Sequence, residues 1–472
     1  MATPSAPVAL PFNRREAGWA VLLSGLLAAL FLGPALLPGR VLSPADLLFN
    51  WAPWAGLAPP GWKGAANPLL VDSILTFEPW LIYTATRLHA GSFPLWNPDN
   101  MLGAPFLGNM QSAIFYPLNW PAFLWPGGAV LVLRAWLKLV IAGVGMYGLA
   151  RTVFRVGPLP AALAAITFSL GAFQVVWLLH SLTNAAILLP SLWWATARLI
   201  EQPGPRRGAA LALLVAVTLV AGHPETAYHM ALATGLFAVV WTAETRRRRG
   251  ADREPKSHGA VGRSWVVPLG AAAGAYVLGV LLAAIQLVPF AEYLGQSVAI
   301  SARSDPNWEG FWLPGRFAWT MLTPDLFGNP AHGDWWAPGI IYNYNETNSY
   351  SGILPLLLAP LALGLRDRCQ RRLALFLAAV GVLAAAVAYH VPGIYQAAVQ
   401  LTFLRTAANH RLVLVVQFAL ALLGALGADA LLREPARRRL AVILAGTVAV
   451  GLIAGLGIPL LAAEPYFLLP SG

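Results

Sequence analysis

Apolar runs of about twenty residues recur along the whole chain, and most of its charge falls between them. A run of that length matches the hydrocarbon thickness of a bilayer. In lipid such a run must satisfy its own backbone, which only a helix does within one segment. Eleven runs are legible: 18–37, 129–149, 158–178, 182–200, 207–222, 228–244, 265–290, 350–365, 373–389, 411–431 and 440–462. The pattern predicts an all-α, polytopic transmembrane bundle of about 11 spans. Composition points the same way: 11% of residues are charged and mean hydropathy is +0.62, against about a quarter charged in a soluble protein. A soluble multidomain enzyme, a disordered chain, a collagen and a coiled coil are excluded. The first run is too long, and too poorly followed by a cleavage site, for a removed signal peptide, so it reads as a retained span. One cysteine, Cys369, leaves no internal disulfide.

The net charge of +11 would suit a nucleic-acid partner if it formed one patch. It does not. Basic residues gather at Arg14–Arg15, Arg151/Arg155, Arg198/Arg206/Arg207, Arg246 to Arg263, Arg366 to Arg372, and Arg433 to Arg439. Threading eleven spans puts all six clusters on one side, which the positive-inside rule makes cytoplasmic. The expected location is the bacterial inner membrane, with the N-terminus (1–17) inside, the C-terminal tail (463–472) outside, and no nucleic-acid partner. Two long outer loops follow, 38–128 and 291–349, flanking a bundle of 129–290 and preceding a second of 350–462. Long ordered loops usually carry function, so the chemistry is expected outside. No P-loop is present, which argues against an ATP-driven pump.

The first outer loop holds two similar segments. Asp46 is followed by Pro53-Trp54, and Asp72 by Pro79-Trp80, at the same offsets. From Asp72 to about Ala90 the pattern is helical and amphipathic, with Ile74, Leu75, Phe77, Leu81 and Ile82 suited to a membrane surface and Asp72 suited to an N-cap. Asp72, with Asp46 second, is the candidate catalytic carboxylate. Further on, Trp96, Asn97, Gln111 and Tyr116 sit among Pro and Gly residues that enforce an irregular path. Amides and aromatic faces of this kind suit a sugar.

These residues carry a resemblance. Val41 to Asp46, Asp72 to Trp80, Pro94 to Pro98, Gln111 to Pro117, Gly222 to Thr226, Glu346 to Leu356, and Phe403 to Arg411 look like the bacterial YfhO-like membrane proteins, which are similar to GT-C class glycosyltransferases. The resemblance implies a multispan fold whose first outer loop supplies an essential acid, here matched to Asp72, and a sugar donor carried on polyprenyl phosphate.

Arg134 and Lys138 are spaced i,i+4 and share a helix face near the outer end of the second span. Such residues face a cavity or snorkel to headgroups. With Arg405 and Arg411 they are the candidate lipid-phosphate ligands. His223 and Glu225 in one outer turn, and Glu346 in another loop, are assigned to substrate binding. His223 and Glu225 supply only two donors, so no metal site is assigned; the cofactor is left open, a divalent metal being compatible with the sequence but not indicated by it. The expected activity is a membrane glycosyltransferase of the hexosyltransferase class, moving sugar from a polyprenyl-phosphate donor to an extracytoplasmic glycan or lipid acceptor. The alternative is a non-enzymatic flippase or transporter of lipid-linked sugars.

Overall fold

Proline and glycine decide which apolar runs become continuous helices and which break. The computed structural model describes residues 12–100, 102–251, 265–303, 305, 308, 310–337, 343–401, 403–434 and 446. Its helices are α1 (Arg14–Phe31), α2 (Glu78–His89), α3 (Trp120–Leu124), α4 (Gly128–Thr152), α5 (Pro158–Ser169), α6 (Ala172–Val176), α7 (Ser181–Ala186), α8 (Leu189–Glu201) and α9 (Pro205–Leu219). They continue as α10 (Pro224–Ala251), α11 (Val266–Leu282), α12 (Ala284–Gly295), α13 (Val298–Arg303), α14 (Tyr344–Thr347), α15 (Ile353–Leu363), α16 (Arg368–Ala388), α17 (Ile394–Ala398) and α18 (Val413–Arg433). The only strands among the described residues are β1 (Trp96–Asn97) and β2 (Ala104–Pro105), paired antiparallel with Trp96 opposite Pro105.

Among the described residues, four helical stretches are long and apolar enough to cross a membrane: Gly128–Thr152, Pro224–Gly250, Arg368–Ala388 and Asn409–Arg433. A fifth is the pair α11 and α12, bent by 71°. Continuous helices among the described residues therefore do not account for the expected eleven spans. The 158–178 run breaks at Gly171 between α5 and α6, and the 182–200 run breaks before Pro190. The runs at 207–222 and 350–365 yield helices of 15 and 11 residues. The run at 440–462 lies outside the described residues apart from Gly446. Proline favours a helix start because it lacks an N–H and clashes with the preceding turn, although Pro289 and Pro360 lie inside α12 and α15.

The core is built on α18, which packs against α5, α15 and α16. Gly424 and Gly427 make the approach to α15 close. A methyl group at Gly424 would stand 2.8 Å from Cα of Pro355, and one at Gly427 would run into the carbonyl of Leu358. Small residues at helix contacts of this kind serve membrane bundles, where backbone approach replaces a hydrophobic driving force. Trp193 stacks on Phe237 at 4.2 Å and meets Phe418 edge-on at 4.7 Å.

The polar contacts sort into two poles. At one, Arg151 pairs with Glu16, Arg372 reaches Glu244 at 2.5 Å, Arg249 donates to the carbonyl of Glu201, and Gln370 donates to the carbonyl of Phe154. The basic clusters described by the structure thus meet at one end of the bundle. At the other end lie the long loops. There Gln286, fully buried on α12, donates to the carbonyl of Leu107 at 2.6 Å. The bend at Ala283 lets α12 lean on the first loop in this way.

Candidate functional site

At the loop-rich pole the first long loop folds back over the start of α4. Its helix opens at Asn67, whose Oδ1 accepts from the backbone N–H of Leu69. Asp72 is not the expected cap: its backbone is already helical and its carboxylate makes no capping bond. Ser73–Phe77 then forms a π-helical turn leading directly into α2. Such turns are rare and often mark functional sites. The turn leaves Asp72 exposed while directing Glu78 inward. Ile74 and Leu81 are buried, whereas Leu75 and Ile82 stay exposed.

Glu78 lines a slot with Arg134, Lys138, Ser73, Phe77 and Leu178. Ser43 donates to its Oε2 at 2.9 Å. Burial raises the Glu78 pKa above the ordinary carboxylate value, only partly offset by the Ser43 hydroxyl and the Arg134 charge. Opposite, Arg134 donates from Nη2 to Oδ1 of Asn119 at 2.7 Å. Asn119 is oriented for this by its own amide, which donates to the carbonyl of Ala113 at 3.0 Å. Nε of Arg134 is buried without an acceptor. Lys138, 2% exposed, donates to the carbonyls of Leu178 at 2.7 Å and His180 at 3.3 Å. Neither cation forms an ion pair among the described residues. The i,i+4 spacing thus does put both on one face, and that face looks into the slot.

A second cleft adjoins this one, sharing Phe77, Leu81, Arg134 and Leu179 and adding Gln111, His180 and Asn184. Each holds about 20 Å³ of solvent space, enough for roughly one water. His180 stands between aromatic faces, 5.3 Å from Phe77 and 5.0 Å from Trp177. Burial first, then Lys138, pushes its pKa down to about 4, so the imidazole is neutral.

Trp177, against His180 of the second cleft, leads to a charged network, since the Arg411 guanidinium lies 5.5 Å from its ring. Arg411 donates from Nη2 to Oε1 of Glu346 at 2.6 Å and from Nη1 to Oε2 of Glu225 at 3.2 Å. Arg303 pairs with the other oxygen of Glu225 at 2.5 Å and donates to the carbonyl of Thr406. Nε2 of His410 lies 2.6 Å from Oε2 of Glu346. A carboxylate only accepts, which assigns the proton to that nitrogen. Nδ1 of His223 accepts from the backbone N–H of Thr226 at 3.2 Å, with Oγ1 of Thr226 2.9 Å away, and Nε2 lies 3.2 Å from Nη1 of Arg411. Burial, then the Arg411 charge, holds the His223 pKa down to about 3. Burial alone would raise the Glu346 pKa, but His410 and Arg411 more than offset it and hold the acid ionised.

The structure separates the four candidate phosphate ligands. Arg134 and Lys138 share the slot, Arg411 is tied to two carboxylates, and exposed Arg405 lines a different recess. The sugar-binding candidates separate too. Gln111 lines the second cleft and Trp96 is exposed on β1. Tyr116, 1% exposed, donates to the carbonyl of Asn184 at 2.9 Å and offers no face for stacking. Asn97 turns inward and accepts from the N–H of Asp99. Asp46 accepts from the N–H of Ala66 at 2.6 Å and organises the loop. His223, Glu225 and Glu346 do come together, as an ion-paired network. Among the described residues no group of His, Cys, Asp and Glu is placed to hold a metal ion. Glu78 and Asn119 were not legible as site residues. The one signal for Glu78 was its place in the helix begun near Asp72.

No protein-family model matches the chain, and no curated protein does. The resemblance to YfhO-like proteins therefore rests on the quoted motifs. Among solved structures, the chain is similar to arabinofuranosyltransferase AftD from Mycobacteria, determined by single-particle cryo-EM. Identity is 16% and the TM-score 0.47, over 99% of this chain and 28% of that one.

Proposed function

We propose that this chain is a membrane glycosyltransferase that moves a sugar from a polyprenyl-phosphate donor to an extracytoplasmic glycan or lipid acceptor. One observation carries the reading: partly buried Arg134 and buried Lys138, neither in an ion pair among the described residues, line a slot beneath the first-loop segment that bears Asp72 and Glu78. A buried positive charge is costly unless something compensates it. A lipid-linked phosphate at this depth supplies that compensation, and its sugar then lies beside the first loop.

In the proposed step the acceptor hydroxyl attacks the anomeric carbon, and the carbon–oxygen bond to the donor phosphate breaks. The hydroxyl proton passes to Asp72, the exposed carboxylate on the acceptor side. Arg134 and Lys138 stabilise the negative charge left on the departing phosphate. Glu78, nearer the cations and favouring its protonated form, sets the charge of the slot. The slot holds about 20 Å³ of solvent space, roughly one water, so donor entry requires the slot to widen. The resemblance to YfhO-like and GT-C proteins supports the role of Asp72, and the alternation of basic clusters supports an outward-facing site, with the N-terminus inside.

The test is incubation of purified protein with polyprenyl-phosphate sugars. Wild type should release or transfer sugar, and Asp72→Asn should lower turnover by about 100-fold or more, the scale of a lost general base. Asp46→Asn should do less. Full turnover in Asp72→Asn would remove the assignment.

A further inference from the structure

The cleft that adjoins the slot is polar, and several of its polar atoms are left over from the packing around it. Its lining includes Asn119, Arg134, His180, Ser181 and Asn184. Nε of Arg134, Nδ1 of His180, Oγ of Ser181 and Oδ1 of Asn184 are all buried without a hydrogen-bond partner. His180, Ser181 and Asn184 are each 3% exposed. Buried polar groups ordinarily find partners, because leaving them bare costs free energy. Four orphans on the residues around one cleft of about 20 Å³ mark a place built for an oxygen that arrives with a ligand. We infer that this cleft reads one hydroxyl of the transferred sugar, the hydroxyl on the carbon next to the anomeric centre, and that the donor therefore carries a neutral aldose unsubstituted at that position. The inference deepens the glycosyltransferase reading by naming the sugar class, and rests on that reading for the position of the phosphate.

The orphans do not come from loose packing. Thr183 donates to the carbonyl of Trp177 at 2.6 Å, Tyr116 to the carbonyl of Asn184 at 2.9 Å, and Nδ2 of Asn184 to the carbonyl of Ala221 at 3.0 Å. These bonds fix the start of α7, and the last of them assigns Oδ1 of Asn184 as the acceptor left over. The set is mixed. Nε–H of Arg134 only donates, Oδ1 of Asn184 only accepts, and the Ser181 hydroxyl does either. A carboxylate would bring Asn184 no donor, and an ammonium would bring Arg134 no acceptor. A hydroxyl both donates and accepts, so it answers the two together. The space of about 20 Å³ admits roughly one water-sized group, which fits a hydroxyl and excludes an acetamido substituent. Arg134 lines both the slot and the cleft, so a phosphate held in the slot lies one side chain away. In an aldosyl phosphate the hydroxyl nearest the phosphate is the one on the carbon beside the anomeric carbon. Phe77 and Trp80, edge-on with ring centres 5.8 Å apart, add an aromatic wall suited to the C–H face of a sugar.

The experiment measures binding to the full chain in detergent by tryptophan fluorescence. The probes are farnesyl phosphate and its glucosyl, mannosyl, 2-deoxyglucosyl and N-acetylglucosaminyl derivatives. The 2-deoxy probe is the common counterpart of the first two sugars. It should bind about 10- to 100-fold more weakly than the better of them, the cost of leaving buried polar groups unpaired. The N-acetyl probe should bind no better than the deoxy one. Ser181→Ala and His180→Phe should each reduce the preference severalfold and leave binding of farnesyl phosphate itself unchanged, since the backbone carbonyl of His180, not its ring, meets Lys138. Both should keep or raise the melting temperature, because each removes a buried group that has no partner. A merely structural role would move the melting temperature and not the preference. A preference for the hydroxyl without sugar transfer would count against the catalytic reading and leave the subsite standing. Binding of farnesyl phosphate with no preference among the sugars would do the reverse. Tighter binding of the N-acetyl probe, a preference that survives both substitutions, or no binding by any probe would overturn the subsite.

Discussion

Arg411 joins two carboxylates that lie 186 and 65 residues away from it: its Nη1 lies 3.2 Å from Oε2 of Glu225 and its Nη2 2.6 Å from Oε1 of Glu346. The three residues come from the start of α10, from α14 and from the turn before α18. The guanidinium therefore ties the second long loop, the start of α10 and the turn before α18 into one assembly beside Trp177.

Removing one member of that assembly should cost stability. Glu346→Gln leaves Arg411 and His410 short of a buried partner, and the expected loss is roughly 3 kcal/mol, the low end for breaking a buried pair. The Glu346 carboxyl is held below its ordinary value in the folded chain. Its contribution is thus present above the unfolded carboxyl pKa and disappears as pH falls through the folded value. Thermal unfolding of wild type and variant should differ most near neutrality and converge in strong acid. A gap independent of pH would contradict the ionised pair.

The slot should respond to the shape of its cation as well as its charge. Arg134→Lys keeps the charge but loses the fork held by Asn119, and Arg134→Gln loses both. Carrier-lipid affinity should fall in that order, with Arg134→Gln weaker by roughly 1.5–3 kcal/mol, the value of a charge-assisted bond. Lipid-binding titrations check this. Equal affinities in all three proteins would make Arg134 a headgroup anchor.

Glu78 gives a pH signature of opposite sign. Burial raises its folded pKa above 4.5, so folding favours the protonated form. That contribution is complete below the unfolded pKa and is lost as pH rises through the folded one. Glu78→Gln fixes the neutral state and should flatten the decline in unfolding midpoint above about pH 4.5. Matching pH slopes in the two proteins would show that Glu78 is not burdened by its surroundings.

Helix packing offers a check independent of chemistry. Gly427→Ala should destabilise the chain by about 1–3 kcal/mol or more, because the added methyl meets the backbone of Leu358. Gly18→Ala, with nothing within 4 Å of the new methyl, is the control. Circular-dichroism melts of the two variants should separate clearly, and equal melts would mean that α18 and α15 can part without cost.

Local and periodic features were legible in the order of residues alone. Apolar length marked the helical runs, because a helix that meets lipid must be apolar over a set distance. The i,i+4 spacing of Arg134 and Lys138 placed them on one face, because helical geometry is fixed within a turn. The clustering of Arg and Lys between runs anticipated the basic pole where Arg151 meets Glu16 and Arg372 meets Glu244. Long-range packing settled the rest. It turned Glu78 rather than Asp72 toward the cations, through a π-turn that no residue pattern announces. It also moved Arg411 away from Arg134 and Lys138 to Glu225 and Glu346, and set Arg405 in its own recess. These outcomes depend on which distant segments meet. The cost of burying each charge is settled by partners tens to hundreds of residues away, and no local pattern encodes that choice.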